Sequence, residues 1–262
     1  MKHSLWIAGI WLLGVLSVAQ GATLISEDYE VTTVDDLTGR GWLLDNTTDI
    51  DSNPVLAIVN CPSGRSGKCL RMQYAGVHVD DCCNAKITQS FTSSSDIWER
   101  YYLRYDKIDT GQPSGFTSVT AKQHYYNNST LPDFVTDFLF GSDEMGLVNQ
   151  TTTNHLCPNG STDTTCNMDP NVSTVHYTYG VWRCIETHAS QTAIDIYVDG
   201  VNTLHYTNPQ WVSPSTWDTI AVYRQGADNQ YRYEDDFVIA TTRVGCAGGG
   251  GGGSTAGGGL DF

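Results

Sequence analysis

Two short segments of the chain place residues that can grip or protonate a ligand at every second position. In Trp98-Glu99-Arg100-Tyr101-Tyr102-Leu103-Arg104-Tyr105, the side chains of an extended strand alternate between its faces. Trp98, Arg100, Tyr102 and Arg104 fall on one side, and Tyr101, Leu103 and Tyr105 on the other, which suits a core. The first set joins flat aromatics to planar, bidentate donors. Such a surface can stack on the apolar face of a sugar ring while hydrogen bonding its hydroxyls or a carboxylate. The alternative is a solvated sheet face with cross-strand Arg–carboxylate pairs. In Thr120-Ala121-Lys122-Gln123-His124-Tyr125-Tyr126, the same alternation groups Lys122, His124 and Tyr126. Histidine is the side chain most easily tuned for proton transfer near neutral pH, and a tyrosine beside it can deliver or remove a proton. If these two strands lie near each other in one sheet, Arg100, Arg104, Lys122, His124 and Tyr126 line a local basic groove. Glu186 and His188, on one face of the segment 181–188 with Trp182 below them, add further ligand contacts.

Acidic residues cluster at two places far apart in sequence, Glu27-Asp28-Tyr29-Glu30 and Glu234-Asp235-Asp236. Hard oxygen ligands from separated strands are what calcium requires, and an antiparallel sandwich often brings its first and last strands together. Two solvated acidic turns are the other way to read the same residues.

The elements that position these groups follow from the rest of the chain. It has 262 residues, with 14 Lys+Arg against 29 Asp+Glu and a formal charge of −15. Without a basic block, a sequence-independent grip on phosphates or anionic lipid lacks its main energy source, so nucleic acid is not expected as a partner. Aromatics at 11% and hydrophobic residues at 40% exclude a disordered chain. Residues 1–21 read as a signal peptide: Lys2 first, then an apolar stretch too short to span a bilayer, then Ala19-Gln20-Gly21. A secreted protein follows, extracellular or periplasmic, with no membrane span in the mature chain. In that compartment eight cysteines imply disulfides. Cys61–Cys69 and Cys157–Cys166 each bracket a short turn-rich loop. The pairing of Cys82, Cys83, Cys184 and Cys246 stays open.

From residue 23 to 246 short β-branched and aromatic runs recur between Gly, Asn, Asp, Ser and Pro, with no long 3.6-residue period. One all-β domain over 23–246 is expected, with strands at Lys68–Tyr74, Ala85–Phe91, Trp98–Tyr105, Thr117–Tyr126, Phe134–Phe140, Val181–His188, Ala193–Val198, Thr219–Tyr223 and Asp236–Thr241. Asp199-Gly200 marks a tight turn that makes a hairpin of Ala193–Val198 and Asn202–Tyr206. The glycine-dominated stretch 247–262 is a flexible tail.

The order SEDYE, GKCLRMQY, WERYYLRYDK, TAKQHYY, GVWRCIETHA with AIDIYVDG, and YEDDFVIATTRVG resembles the concanavalin A-like jelly-roll superfamily, in its laminin-G-like or polysaccharide-lyase-like branch. The resemblance implies an antiparallel β-sandwich that binds a polysaccharide. It also implies a structural Ca²⁺ held by Glu30 and Asp236, together with Glu27 and Asp235. The paired carboxylates of the glucanase branch have no counterpart here. The lyase branch uses an Arg-rich strand, a Gln-x-His strand and a Tyr-x-Gln strand. Its counterparts here are Arg104, the adjacent Gln123 and His124, and Tyr223-Arg224-Gln225. On a lyase reading, β-elimination of a uronate-containing glycan has Arg104 or Gln123 neutralising the carboxylate, His124 abstracting the proton and a tyrosine such as Tyr126 protonating the leaving oxygen. On a binding reading, Trp98, Arg100, Tyr102, Lys122, Glu186 and His188 hold the sugar. Oligomeric state is not encoded in any of these features.

Overall fold

The computed structural model describes residues 21–45, 55–74, 85–107, 124–127, 134–141, 144–151, 178–190, 192–207, 216–224 and 230–246. Its strands begin with β1 (Thr23–Glu27), β2 (Leu43–Asp45), β3 (Leu56–Asn60), β4 (Lys68–Tyr74), β5 (Ala85–Ser94), β6 (Ile97–Lys107) and β7 (His124–Asn127). They continue with β8 (Phe134–Gly141), β9 (Glu144–Thr151), β10 (Arg183–Ala189), β11 (Ala193–Val198), β12 (Val201–Thr207), β13 (Trp217–Arg224) and β14 (Gln230–Ala240). The 3₁₀ turn Asp35–Arg40 precedes β2. None of the described helices is long and apolar enough to cross a membrane. Most of the expected signal peptide, the glycine-rich tail, Cys82, Cys83, Cys157, Cys166, Lys122 and Gln123 lie outside the described residues.

Strand β6 shows why this sequence makes a sandwich. Its inward positions Ile97, Glu99, Tyr101, Leu103 and Tyr105 are all sealed from solvent, and its two neighbours repeat the pattern. Eight strands form one antiparallel sheet in the order β12-β11-β10-β6-β14-β4-β3, with β1 added along β14. A second sheet runs β2-β5-β13-β7, and β8 with β9 makes a separate two-stranded pair. The core lies between the two larger sheets. Tyr101, Leu103, Ile185, Phe237 and Ile239 from one meet Ile87, Tyr126, Ile220 and Val222 from the other, with Trp42 and Trp217 among the largest buried side chains.

The Asp199-Gly200 hairpin forms as expected. Both residues have positive φ, 52° and 83°, the two-residue turn that matches strand twist, and Val198 pairs Val201. The last strand differs from expectation: it starts at Gln230 and is bulged. Register against β6 shifts between Asp235 and Val238, and Asp236 takes φ 49°. The extra residue changes the parity, so Arg232 and Glu234 point inward before the bulge and Phe237 and Ile239 after it, all fully buried. Cys61–Cys69 is bonded as expected, and Cys184 pairs with Cys246.

Candidate functional site

Pairing of β6 with β10 and β14 assembles the outer face of the eight-stranded sheet in rows. Trp98 lies opposite His188, Arg100 opposite Glu186 and Tyr102 opposite Cys184; β11 continues the rows with Asp195 and Tyr197. The Trp98 and His188 rings stack with centroids 4.2 Å apart and planes 10° apart. His188 is oriented by Asp96, 3.0 Å from its Nε2, and by Asp195, 3.4 Å from its Nδ1. Burial would raise the Asp195 carboxyl, but hydrogen bonds from His205, Asn202 and His188 hold it below its usual range. Arg243 covers the Tyr197 ring at 4.0 Å and lies 5.6 Å from Trp98. Its Nη2 donates to Glu186 Oε2 at 2.7 Å, while Gly245 N donates to Oε1 at 2.9 Å. Glu186 is thus buried and bonded within the protein.

Further along β6 the cations differ in what they meet. Arg104 donates from Nε to Asp106 Oδ1 at 2.8 Å and from Nη1 to the Ser63 carbonyl at 2.7 Å. Arg65, from the loop closed by Cys61–Cys69, bridges Asp235 and Asp236 and lies 3.8 Å over the Tyr102 ring. Tyr102 is therefore only 6% exposed. Arg104 fits neither reading: it is buried, and its carboxylate partner Asp106 lies two residues along the same strand rather than across from it. Trp98, Arg100, Tyr197 and His188 remain half-buried and reachable from solvent.

His124 and Tyr126 correct the expected groove. Their strand β7 belongs to the other sheet, paired to β13 with Val222 opposite His124 and Ile220 opposite Tyr126. Both side chains therefore point into the core, fully buried. His124 Nδ1 is 2.6 Å from Glu99 Oε1, and Nε2 is 2.9 Å from Glu234 Oε1. The Tyr126 hydroxyl donates to Glu99, and Arg232 Nε donates to Glu234 Oε1 at 2.8 Å. The Tyr101 ring packs 4.2 Å from His124. Burial alone would lower the His124 pKa, but the charges of Glu234 and Glu99 outweigh it and raise it to about 9. Burial likewise works to raise Glu234, and Arg232 and His124 together bring it below its usual value. The result is an Arg⁺–Glu⁻–His⁺–Glu⁻ chain capped by a tyrosine. A histidine held protonated and closed from solvent cannot take a proton from a substrate, so this arrangement does not support His124 as a base or Tyr126 as an acid. Glu99 and Arg232 escaped the sequence reading, and Glu234, read there as part of an acidic calcium cluster, instead faces His124 in the core. Glu99 shares the parity of Tyr101 and Leu103, which is the signal that could have found it.

The four carboxylates named for calcium do not converge. Glu27 accepts from Tyr29 N, Arg40 Nη1 and Trp42 Nε1 at 2.8, 2.7 and 3.1 Å. Glu30 accepts from Lys68 N at 2.7 Å, and Arg65 occupies Asp235 and Asp236. Burial pushes Asp235 up to about 6 despite that arginine. Among the described residues, one trio of potential ligands comes within 4.8 Å: Cys61, Cys69 and Asp235. Its two sulfurs are bonded to each other. Calcium needs six to eight oxygens around one point, and the described residues do not fit it.

No protein-family model and no curated protein matches the chain. Solved structures do. The cellulose-induced protein Cip1 aligns with TM-score 0.58 at 15% identity, over 85% of this chain and all of that one. A structure from work on endo-acting O-glycanases of the human gut microbiota aligns with TM-score 0.54 at 11% identity, over 84% and 99%. Domain 4 of AbnA, a GH43 extracellular arabinanase from Geobacillus stearothermophilus in complex with arabinotriose, aligns with TM-score 0.50 at 12% identity, over 83% and 94%. At such identities the likeness concerns the fold. The chain is an all-β, antiparallel sandwich of the concanavalin A-like jelly-roll type.

Proposed function

We propose that the chain is a secreted jelly-roll protein that binds an extracellular polysaccharide through the outer face of its eight-stranded sheet. One observation carries this reading: Trp98, stacked on His188, forms with Tyr197 and Arg100 a half-buried aromatic and cationic patch on a regular sheet. Exposed aromatic area is unfavourable unless something covers it, and the C–H face of a sugar ring does so while its hydroxyls meet neighbouring donors. Disulfides within the chain agree with an oxidising compartment. The arabinotriose on the AbnA domain adds that a sandwich of this kind can carry a sugar. Isothermal titration against a panel of neutral and acidic glycans tests the reading. Binding that Trp98→Ala weakens about tenfold supports it, and binding unaffected by that change moves the site elsewhere.

A second reading, lyase chemistry on a uronate-containing glycan, retains one observation. Strands β7 and β13 pair so that Val222 lies opposite His124, which sets the start of β7 beside the Tyr223-Arg224 end of β13 on the four-stranded sheet. Tyr223 is then the residue to test in place of His124. Ultraviolet-absorbing unsaturated products lost in Tyr223→Phe would establish it. Their absence across a panel of polyuronates would remove it.

A further inference from the structure

The arginines of the outer face divide into two groups. Arg65, Arg104 and Arg243 each hold a carboxylate, on Asp235 with Asp236, Asp106 and Glu186 respectively. Arg100 and Arg71 hold none. Neither makes a hydrogen bond or ion pair with a described residue, and the Nε of each is shut off from solvent without a partner. Each lies against a ring instead, Arg100 5.5 Å from Tyr102 and Arg71 5.1 Å from Tyr231. The residue opposite Arg100 on β10 is Glu186, whose carboxylate is already taken by Arg243 and Gly245. On its other side is Val238. Arg71 lies between Ala57 and Tyr233. A half-buried guanidinium without an anion is destabilising, and an aromatic ring compensates only a small part of that.

We propose that the polysaccharide taken by this face is acidic, and that Arg100 and Arg71 receive two of its anionic groups. This deepens the binding reading above and rests on it. A carboxylate or a sulfate supplies what both guanidinia lack, whereas a neutral sugar leaves the charge uncompensated. Arg71 and Arg104 flank Tyr233 in one row, and Arg100 precedes Arg104 by four residues on β6. Strand spacing and rise then separate Arg71 from Arg100 by about 16 Å. A single sugar does not cover that distance, so the ligand is a chain that carries acidic groups repeatedly. The net charge of −15 opposes this at long range, but screening over about 8 Å leaves the local groups to decide.

The test titrates the intact protein with a native polyuronate, the same polymer with its carboxyl groups reduced to alcohols, and a sulfated and an unsulfated form of one neutral polysaccharide. The acidic member of at least one pair should bind tenfold or more tightly than its neutral counterpart, with affinity falling as salt rises; which pair responds tells carboxylate from sulfate. Arg100→Gln should lose that preference. Arg71→Gln should weaken binding of long chains while leaving short oligomers unaffected. Equal affinity within both pairs, with Trp98→Ala weakening it, overturns the acidic assignment and leaves the glycan reading standing. No binding to any of the four overturns both. The polymer comparison on the unaltered protein decides the matter even if an arginine variant fails to fold.

Discussion

His124 and Glu99 meet across the two sheets, with Nδ1 2.6 Å from Oε1 and neither residue exposed. Glu234 faces the other ring nitrogen, so the imidazolium is the only described cation shared by both acids. The two sheets are joined here by charge as well as by the apolar core.

His124→Ala removes that shared cation and leaves two carboxylates buried, one of them still paired with Arg232. Breaking a buried pair from one side costs about 3–5 kcal/mol. Urea unfolding should show a loss in that range. A change below 1 kcal/mol would contradict the pairing of His124 with the two acids.

The same contact sets a pH dependence. The folded pKa of about 9 lies above the unfolded value near 6.5. Its stabilisation is thus complete below about pH 6.5 and is lost as pH rises through 9. Urea midpoints should fall over that window, and His124→Gln should flatten the fall. A midpoint that rises from pH 6.5 to 9 would contradict the charge assignment.

Cys184–Cys246 closes a separation of 62 residues and Cys61–Cys69 one of 8. By loop entropy the first contributes about 4 kcal/mol and the second about 2.5 kcal/mol. Paired Cys→Ser replacements should therefore lower Tm more at 184 and 246. The reverse order would show that the short loop matters chiefly by holding Arg65 over Tyr102.

Arg65 supplies positive charge at Asp235 and Asp236, as Arg40 does at Glu27. Arg65→Ala should lower Tm by several degrees, and excess chelator should leave the Tm of the unaltered protein unchanged. A chelator-dependent fall, with bound calcium found by metal analysis, would show that these acids hold the ion their sequence suggested.

The legible parts of this chain are those where one local rule decides. Period-two alternation over the segment Trp98–Tyr105 revealed Trp98, Arg100, Tyr102 and Arg104 as one face. Asp199-Gly200 announced its hairpin, and Cys61–Cys69 its short loop. Alternation says which residues share a face but not which face meets the other sheet. On β7 both parities carry tyrosines, so His124 could not be assigned inward from sequence. The bulge at Asp236 hid the inward side of Arg232 and Glu234, because one extra residue makes the parity before it the opposite of the parity after it. Arg104 and Asp106, two apart on one strand face, were a readable pair, and their bond removes Arg104 from the candidates for gripping a ligand.

Glycan binding by Trp98→Ala, compared with the unaltered protein on one glycan that it demonstrably binds, tests the outer-face site most directly. Trp98 lies on the surface side of β6, so the variant should keep its fold, checked by Tm. Loss of the stacking ring should weaken binding about tenfold, on the order of 1.5 kcal/mol. A folded Trp98→Ala that binds with the parent's affinity would place the site away from this sheet face and contradict the account.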